Sequence, residues 1–289
     1  MAFRYYDPLE KLRYPDRVNY ANGVMLDEND FKAEQAYFRG RLSRALAYLH
    51  GFDTVAGLEV ATVLEEPHKI RVTPGLAVDR LGRLIELPVP YCIRAQEWFA
   101  TQDPNGLKES FANSVDGNGP RAVVADVFIR FNNCERGMTP GFGTGNVDTT
   151  DAFTAHRVRD SAELDMVLRS QPEQHKPRQE APYDALADEN LSFSEAMNAL
   201  RKFKIEDAWR ESDFWNPVDD TVKKGPEYGA DQNGTEVLLA RVRLPATENP
   251  MRYDTNGKIG IDNNIRDLSL SNFKLYWLIK ATRGNLPWP

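Results

Sequence analysis

A chain of 289 residues with a formal net charge of −7 and a pI near 5.3 is long enough to bury a substantial core, in one domain or two. The acidic balance argues against nucleic acid as a partner, because neutralising phosphates takes a dense basic surface. Hydrophobic residues make up 41%, and no apolar run approaches the roughly 20 residues of a spanning helix, so membrane insertion is not expected.

Residues 1–18 are aromatic and charged, with Pro8 and Pro15 preventing a helix. They lack an apolar signal core, so export by a cleaved leader is not expected. Tyr5, Tyr6 and Tyr14 cluster there with arginines, the residue types that dominate binding hot spots. An arm of this kind packs on its own domain or on a neighbour.

Asn22-Gly23 marks a turn, and Asp27 is placed to cap a helix that continues to His50-Gly51. Phe31, Phe38, Leu42, Ala45, Leu46 and Leu49 share one side of it, with Gln35 filling the remaining position. Gly40 interrupts the helix at a cost of about 1 kcal/mol against alanine, which suggests the close approach of another backbone. Runs at 55–63, 70–78 and 83–89 read as three strands of an antiparallel meander packed on this helix. Pro74-Gly75 implies a bend in the second, and Asp79 with Arg83 can pair across the turn that follows.

Residues 95–120 read as a polar connection with one weak helical piece at 96–101. RAVVADVFIRFN, residues 121–132, is the strongest strand pattern, apolar on both faces and therefore central. Residues 133–157 read as a long loop and 158–170 as a strand. A proline-rich linker (171–182), a helical stretch (183–210), a strand (236–246), a hairpin around Asn256-Gly257 and a short helix near 273–279 complete the chain. Trp209, Phe214 and Trp215, and Trp288 near the C-terminus, are the remaining aromatic candidates for an interface. The fold class expected is α+β: an antiparallel β-sandwich-like core with a long N-terminal amphipathic helix. The chain divides into a helix-plus-meander region at 1–94 and a mixed region at 95–289.

Catalytic and metal-binding patterns are weak. His50, His68, His156 and His175 are scattered without metal-ligand spacing. His156 lies near Asp148, Asp151 and Asp160, a constellation that reads first as a solvated loop. Gly141, Gly143 and Gly145 lack the GK[ST] of a phosphate loop, and no serine sits in a GxSxG elbow. No catalytic residue, cofactor or metal is assigned. Cys92 and Cys134 are far apart in sequence and are expected to be free, buried thiols of a protein made in a reducing cytoplasm.

One set of motifs resembles a known family. It comprises Tyr20, Asn22 and Gly23; Leu26, Asp30 and Phe31; Glu34, Gln35 and Tyr37; His50 and Gly51; Val55, Gly57, Leu58 and Val60; then Pro74, Gly75, Ala77, Asp79, Gly82 and Arg83. Together these are similar to the N-terminal part of proteins associated with phage-tail-like contractile injection systems. They are more distantly similar to the N-terminal shell domain of the type VI secretion baseplate adaptor, and through it to the shoulder domain of siphophage receptor-binding proteins. The resemblance covers about the first 90 residues; the polar stretches 95–120 and 171–234 have no counterpart in it. It implies a non-enzymatic structural protein that joins an assembled particle, with other baseplate proteins as partners and a homo-oligomer, a trimer being one form. A receptor- or glycan-binding module at the particle tip is the alternative, and a hydrolase of envelope polymers a third.

Overall fold

The computed structural model describes residues 16–114, 121–140, 153–175, 198, 215–216, 221–222, 225, 227–229, 231–232 and 234–266. The fold is α+β, with antiparallel sheets and few helices. The arm at 1–15, the helical patterning of 183–210 apart from Asn198, and the apolar segment 273–279 lie outside the described residues.

Helix α1 (Glu28–His50) starts as its sequence dictates. The Asp27 carboxylate accepts from the amides of Asn29 (2.7 Å) and Asp30 (3.2 Å), and the Asp30 carboxylate accepts from the Asp27 amide (2.9 Å). This reciprocal box satisfies donors that the helix itself leaves unpaired. At the other end Gly51 takes a positive φ of 76°, and its amide closes on the Ala47 carbonyl.

The first two of the runs read as single strands are each broken in two, while the third stays whole. Strands β1 (Asp53–Gly57) and β2 (Val60–Val63) enter different sheets, as do β3 (Glu66–Val72) and β4 (Gly75–Val78). With β5 (Leu84–Leu87) and β6 (Tyr91–Arg94) they form two three-stranded sheets, β1-β4-β5 and β2-β3-β6, instead of one meander. The two chains cross where they break. The Leu58 amide donates to the Pro74 carbonyl, and the Thr73 amide to the Glu59 carbonyl. Gly57 and Gly75 stand back to back at this crossing. A Cβ on Gly75 would lie 2.3 Å from the Ala56 carbonyl oxygen, so only glycine fits. Periodicity locates strands but is blind to a change of partner within one run, which is why the corner is invisible in the sequence.

Helices α2 (Ala95–Ala100) and α3 (Pro104–Asn113) follow. The second sits in the segment read as a polar connection. Asp103 caps it through the Gly106 amide, and Pro104 opens it. Strands β7 (Val123–Pro140) and β8 (Phe153–Leu168) pair from Ala125↔Leu168 to Pro140↔Phe153. A short pair, β9 (Trp215–Asn216) with β10 (Thr221–Val222), precedes β11 (Val237–Leu244), which joins β7. Then β12 (Ala246–Thr247) pairs with β13 (Arg252–Tyr253), and β14 (Gly260–Asp262) returns to β11. The turn at 254–257 is present, but its flanks pair with β12 and β11 instead of with each other. The large sheet therefore runs β14-β11-β7-β8.

One hydrophobic cluster joins the sheets. It takes in Val123, Ala125, Val127 and Ile129 from one face of β7, Leu239 and Val242 from β11, and Leu58, Ile70, Val72 and Ile85 from the two smaller sheets. The other face of β7 is covered as well, since Phe128 packs with Tyr228 and Leu238. The sequence reading of 121–132 as a central strand holds.

Helix α1 touches this body at the β4–β5 turn. There the buried Asp79 carboxylate accepts from the Leu81 and Arg83 amides and from Arg83 Nε at 2.6 Å. Burial pushes the Asp79 carboxyl up, against the opposing pull of Arg83 and the two amides. Gly82, at φ 78°, lies directly under the helix: a Cβ there would be 1.8 Å from the Ser43 carbonyl oxygen. Gly82→Ala is expected to lower stability by about 1–3 kcal/mol. The readout is a fall in the urea midpoint at unchanged slope. An unchanged midpoint would contradict a tight seat for α1.

Candidate assembly surfaces

The side of α1 that meets the turn carries small residues. Ala36 and Ser43 are buried, and Ala33, Gly40 and Ala47 beside them are half-buried. Small side chains let the helix backbone come down onto Gly82. The large apolar residues are consequently turned away from the body: Phe31 is 52% exposed, Phe38 59%, Leu42 62% and Leu49 76%. Met25, just ahead of the helix, is 93% exposed. The sequence reading placed this apolar side against the meander; the structure places it outside. A run of exposed apolar side chains on one helix face is the usual mark of a binding surface.

The second surface is an arm. From Ala125 to Ile129, β7 is flanked by β11 and β8. Beyond that only β8 pairs with it among the described residues, through Cys134↔Arg159 to Pro140↔Phe153. Residues 134–139 and 156–160 are exposed on both faces. At 3.3 Å per residue this freestanding ribbon projects about 20 Å. It occupies the segment read as a loop at 133–157; Gly137 and Pro140 gave that segment its loop-like punctuation. His156, weighed in the sequence as a site for metal or proton transfer, lies with its ring over Gly137 and bonds the Gly137 carbonyl through Nδ1. Met138 (62% exposed) and Val158 (42%) are bare on the ribbon, and Arg136 lies directly opposite Arg157. Like charges facing across a pair of strands destabilise it in isolation.

The root of the ribbon is strongly braced. Arg130 donates to Glu163 on the neighbouring strand, which also accepts from Asn132 Nδ2 at 2.9 Å. Below it, Asp126 is wholly buried in β7 and holds two arginines. Arg241, its cross-strand neighbour, donates from Nε (2.7 Å) and Nη2 (3.0 Å), and Arg169 from Nε (2.8 Å). Remaining guanidinium donors reach the carbonyls of Glu227 and Pro172 and the amide oxygen of Gln232. A shallow cavity of about 250 Å³ lies beside this cluster, lined by Val167, Arg169, Gln171, Gln174, Asp231 and Gln232. Of its lining groups, Gln232 accepts from Arg169 and donates through Nε2 to Glu236, whose carboxyl is pushed up by burial. The arrangement is a brace. One signal pointed to it: a single aspartate inside an otherwise apolar strand must have a partner.

Of the residues singled out in the sequence for an interface, Tyr5, Tyr6, Tyr14, Trp209, Phe214 and Trp288 lie outside the described residues, and Trp215 is placed only as part of β9. Cys92 and Cys134 are free, but both are exposed, where burial was expected. Among the described residues no three of His, Cys, Asp and Glu gather as metal ligands, and no described helix is long and apolar enough to cross a membrane.

No protein-family model and no curated protein matches the chain. Among solved structures it is distantly similar to a chain of the type VI secretion system TssK-TssF-TssG baseplate subcomplex, with a TM-score of 0.34 and 11% sequence identity. The superposition covers 86% of this chain, which spans 60% of that chain's length.

Asp126→Asn removes one charge from between two buried cations. The expected loss of stability is about 3–5 kcal/mol, seen in equilibrium urea unfolding. A loss under about 1 kcal/mol would mean that the arginines find other partners and that the ribbon's root does not depend on this carboxylate.

Proposed function

We propose that the chain is a structural component of a contractile injection system or phage-tail-like particle, an adaptor at the baseplate that links baseplate parts or attaches a peripheral element. It works by docking and carries out no reaction. The observation that carries the docking role is the bare ribbon of β7 and β8. Two strands alone in water are marginal, and open strand edges invite pairing. A ribbon exposed on both faces, with arginine set against arginine, gains stability when an acidic or strand-donating partner covers it. The particle itself is supported by the sequence resemblance of the first 90 or so residues.

The test is affinity purification of the tagged full-length protein from its native source. Sheath, tube and baseplate wedge proteins are expected to accompany it. A variant in which 135–158 is replaced by a short turn is expected to keep the far-ultraviolet circular dichroism of the core and to lose those partners. Recovery of the protein without any particle component overturns the particle assignment. Undiminished recovery with the shortened variant overturns the role of the ribbon.

A further inference from the structure

The ribbon of β7 and β8 offers a partner two edges and two faces, and they are unlike. The β7 edge is interrupted. Gly137 takes a positive φ of 68°, and the ladder passes over Gly137 and His156 between Arg136↔Arg157 and Met138↔Ala155. A strand added along this edge needs continuous extended backbone, and a left-handed residue in its middle turns the peptide groups out of line. The β8 edge carries Arg157, Arg159 and Asp160, and charged side chains are a common guard against strand addition.

The faces are separated by charge. Residues opposite one another on paired antiparallel strands share a face, and neighbours along a strand alternate. Cys134↔Arg159 and Arg136↔Arg157 therefore lie on one face, and Asn133↔Asp160 and Glu135↔Val158 on the other. One face holds Arg136, Arg157 and Arg159; the reverse holds Glu135 and Asp160. The arginine face continues from the root, where Glu163 is its acid. Glu163 already accepts from Arg130 and Asn132, and it stands four residues from Arg159, roughly 13 Å along the strand. Arg136, Arg157 and Arg159 are exposed, and among the described residues none of them has an acidic partner.

We infer that the arginine face of the ribbon is a docking site for a carboxylate-rich segment of a partner protein, held through side chains and not by strand addition. This rests on the docking role proposed for the ribbon and specifies the partner's chemistry. Arg136 and Arg157 stand directly opposite, with Cβ atoms about 5 Å apart, and Arg159 is about 7 Å further along. Each guanidinium is a planar fork that takes a carboxylate through two N–H groups. Three forks in so small a patch match a few acidic side chains carried on one segment. Such a segment replaces the repulsion between Arg136 and Arg157 with attraction to both. A nucleic-acid strand fits less well. The patch is too short to follow a phosphate backbone, and the acids of the reverse face and the net charge of −7 repel a long polyanion.

The experiment measures binding of a fluorescent oligoglutamate peptide to the full-length chain by anisotropy at low ionic strength. Binding is expected, and is expected to weaken as salt is added. Arg136→Ser combined with Arg157→Ser and Arg159→Ser should weaken it about tenfold or more. Glu135→Gln with Asp160→Asn, on the reverse face, should not weaken it. The arginine variant removes a repulsion within the ribbon, so its far-ultraviolet circular dichroism is expected to match the parent's. Purified from the native source, it is expected to lose the partners that the shortened ribbon loses. Equal peptide binding by the arginine variant and the parent overturns the inference. So does tighter binding of a single-stranded oligonucleotide of the same charge, which assigns the face to phosphates. Partners lost with the shortened ribbon but kept by the arginine variant also overturn it, and leave the docking role of the ribbon standing.

Discussion

Gly82 decides which side of α1 the rest of the molecule can touch. With a glycine at positive φ beneath it, the helix backbone at Ser43 comes closer than any side chain would allow. Only a face of small residues can make that approach, and α1 has one, from Ala33 through Ala36, Gly40 and Ser43 to Ala47. The turn itself is held rigid by the Asp79–Arg83 pair, buried on both sides. The phenylalanines and leucines of the helix are thereby committed to the outside. The seat of α1 thus dictates an apolar surface about as long as the helix, and among the described residues the remainder of the fold does not cover it.

A second constraint acts on the large sheet. A lone carboxylate in the middle of β7 cross-links three segments: β7 itself, β11 through Arg241, and the chain leaving β8 through Arg169. Buried ion pairs of this kind are weak contributors to net stability, because both partners lose their hydration. They are strict about geometry, however, and a misregistered β8 would leave a guanidinium buried without its carboxylate. The brace lies three residues before β7 loses its flanking strand β11 and runs on with β8 as a ribbon. Register fixed at the root is register fixed along the arm, since each residue on one strand has a single partner on the other.

The parts of this architecture legible in the sequence were those set by local chemistry. Asp27 and Asp30 announce the start of α1, and alternation across residues 121–132 announces β7 with both faces covered. The pairing of Asp79 with Arg83 was legible too, because both lie within one short turn. What was hidden depends on tertiary choices. Apolar periodicity shows that α1 has two sides; it does not say which side meets the body, and the small-residue stripe at the same three-four spacing was the available signal. The strand break at Gly57-Leu58 looks like continuous strand, because a corner between sheets keeps extended backbone on either side. The ribbon was hidden by its own composition: Gly137 and Pro140 are loop residues in most settings, and an arm that stands in solvent has no buried face to give it alternation.

The account as a whole holds that two surfaces bare in the single chain, the apolar side of α1 and the β7–β8 ribbon, are covered in the working protein. Amide hydrogen exchange of the protein within its native assembly, set against the isolated chain, measures this directly. Exchange is expected to slow markedly at 134–140 and 153–160 and along α1, while β11 and the central part of β7 stay equally protected in both states. Equal rates at the ribbon and the helix in the two states would contradict the account.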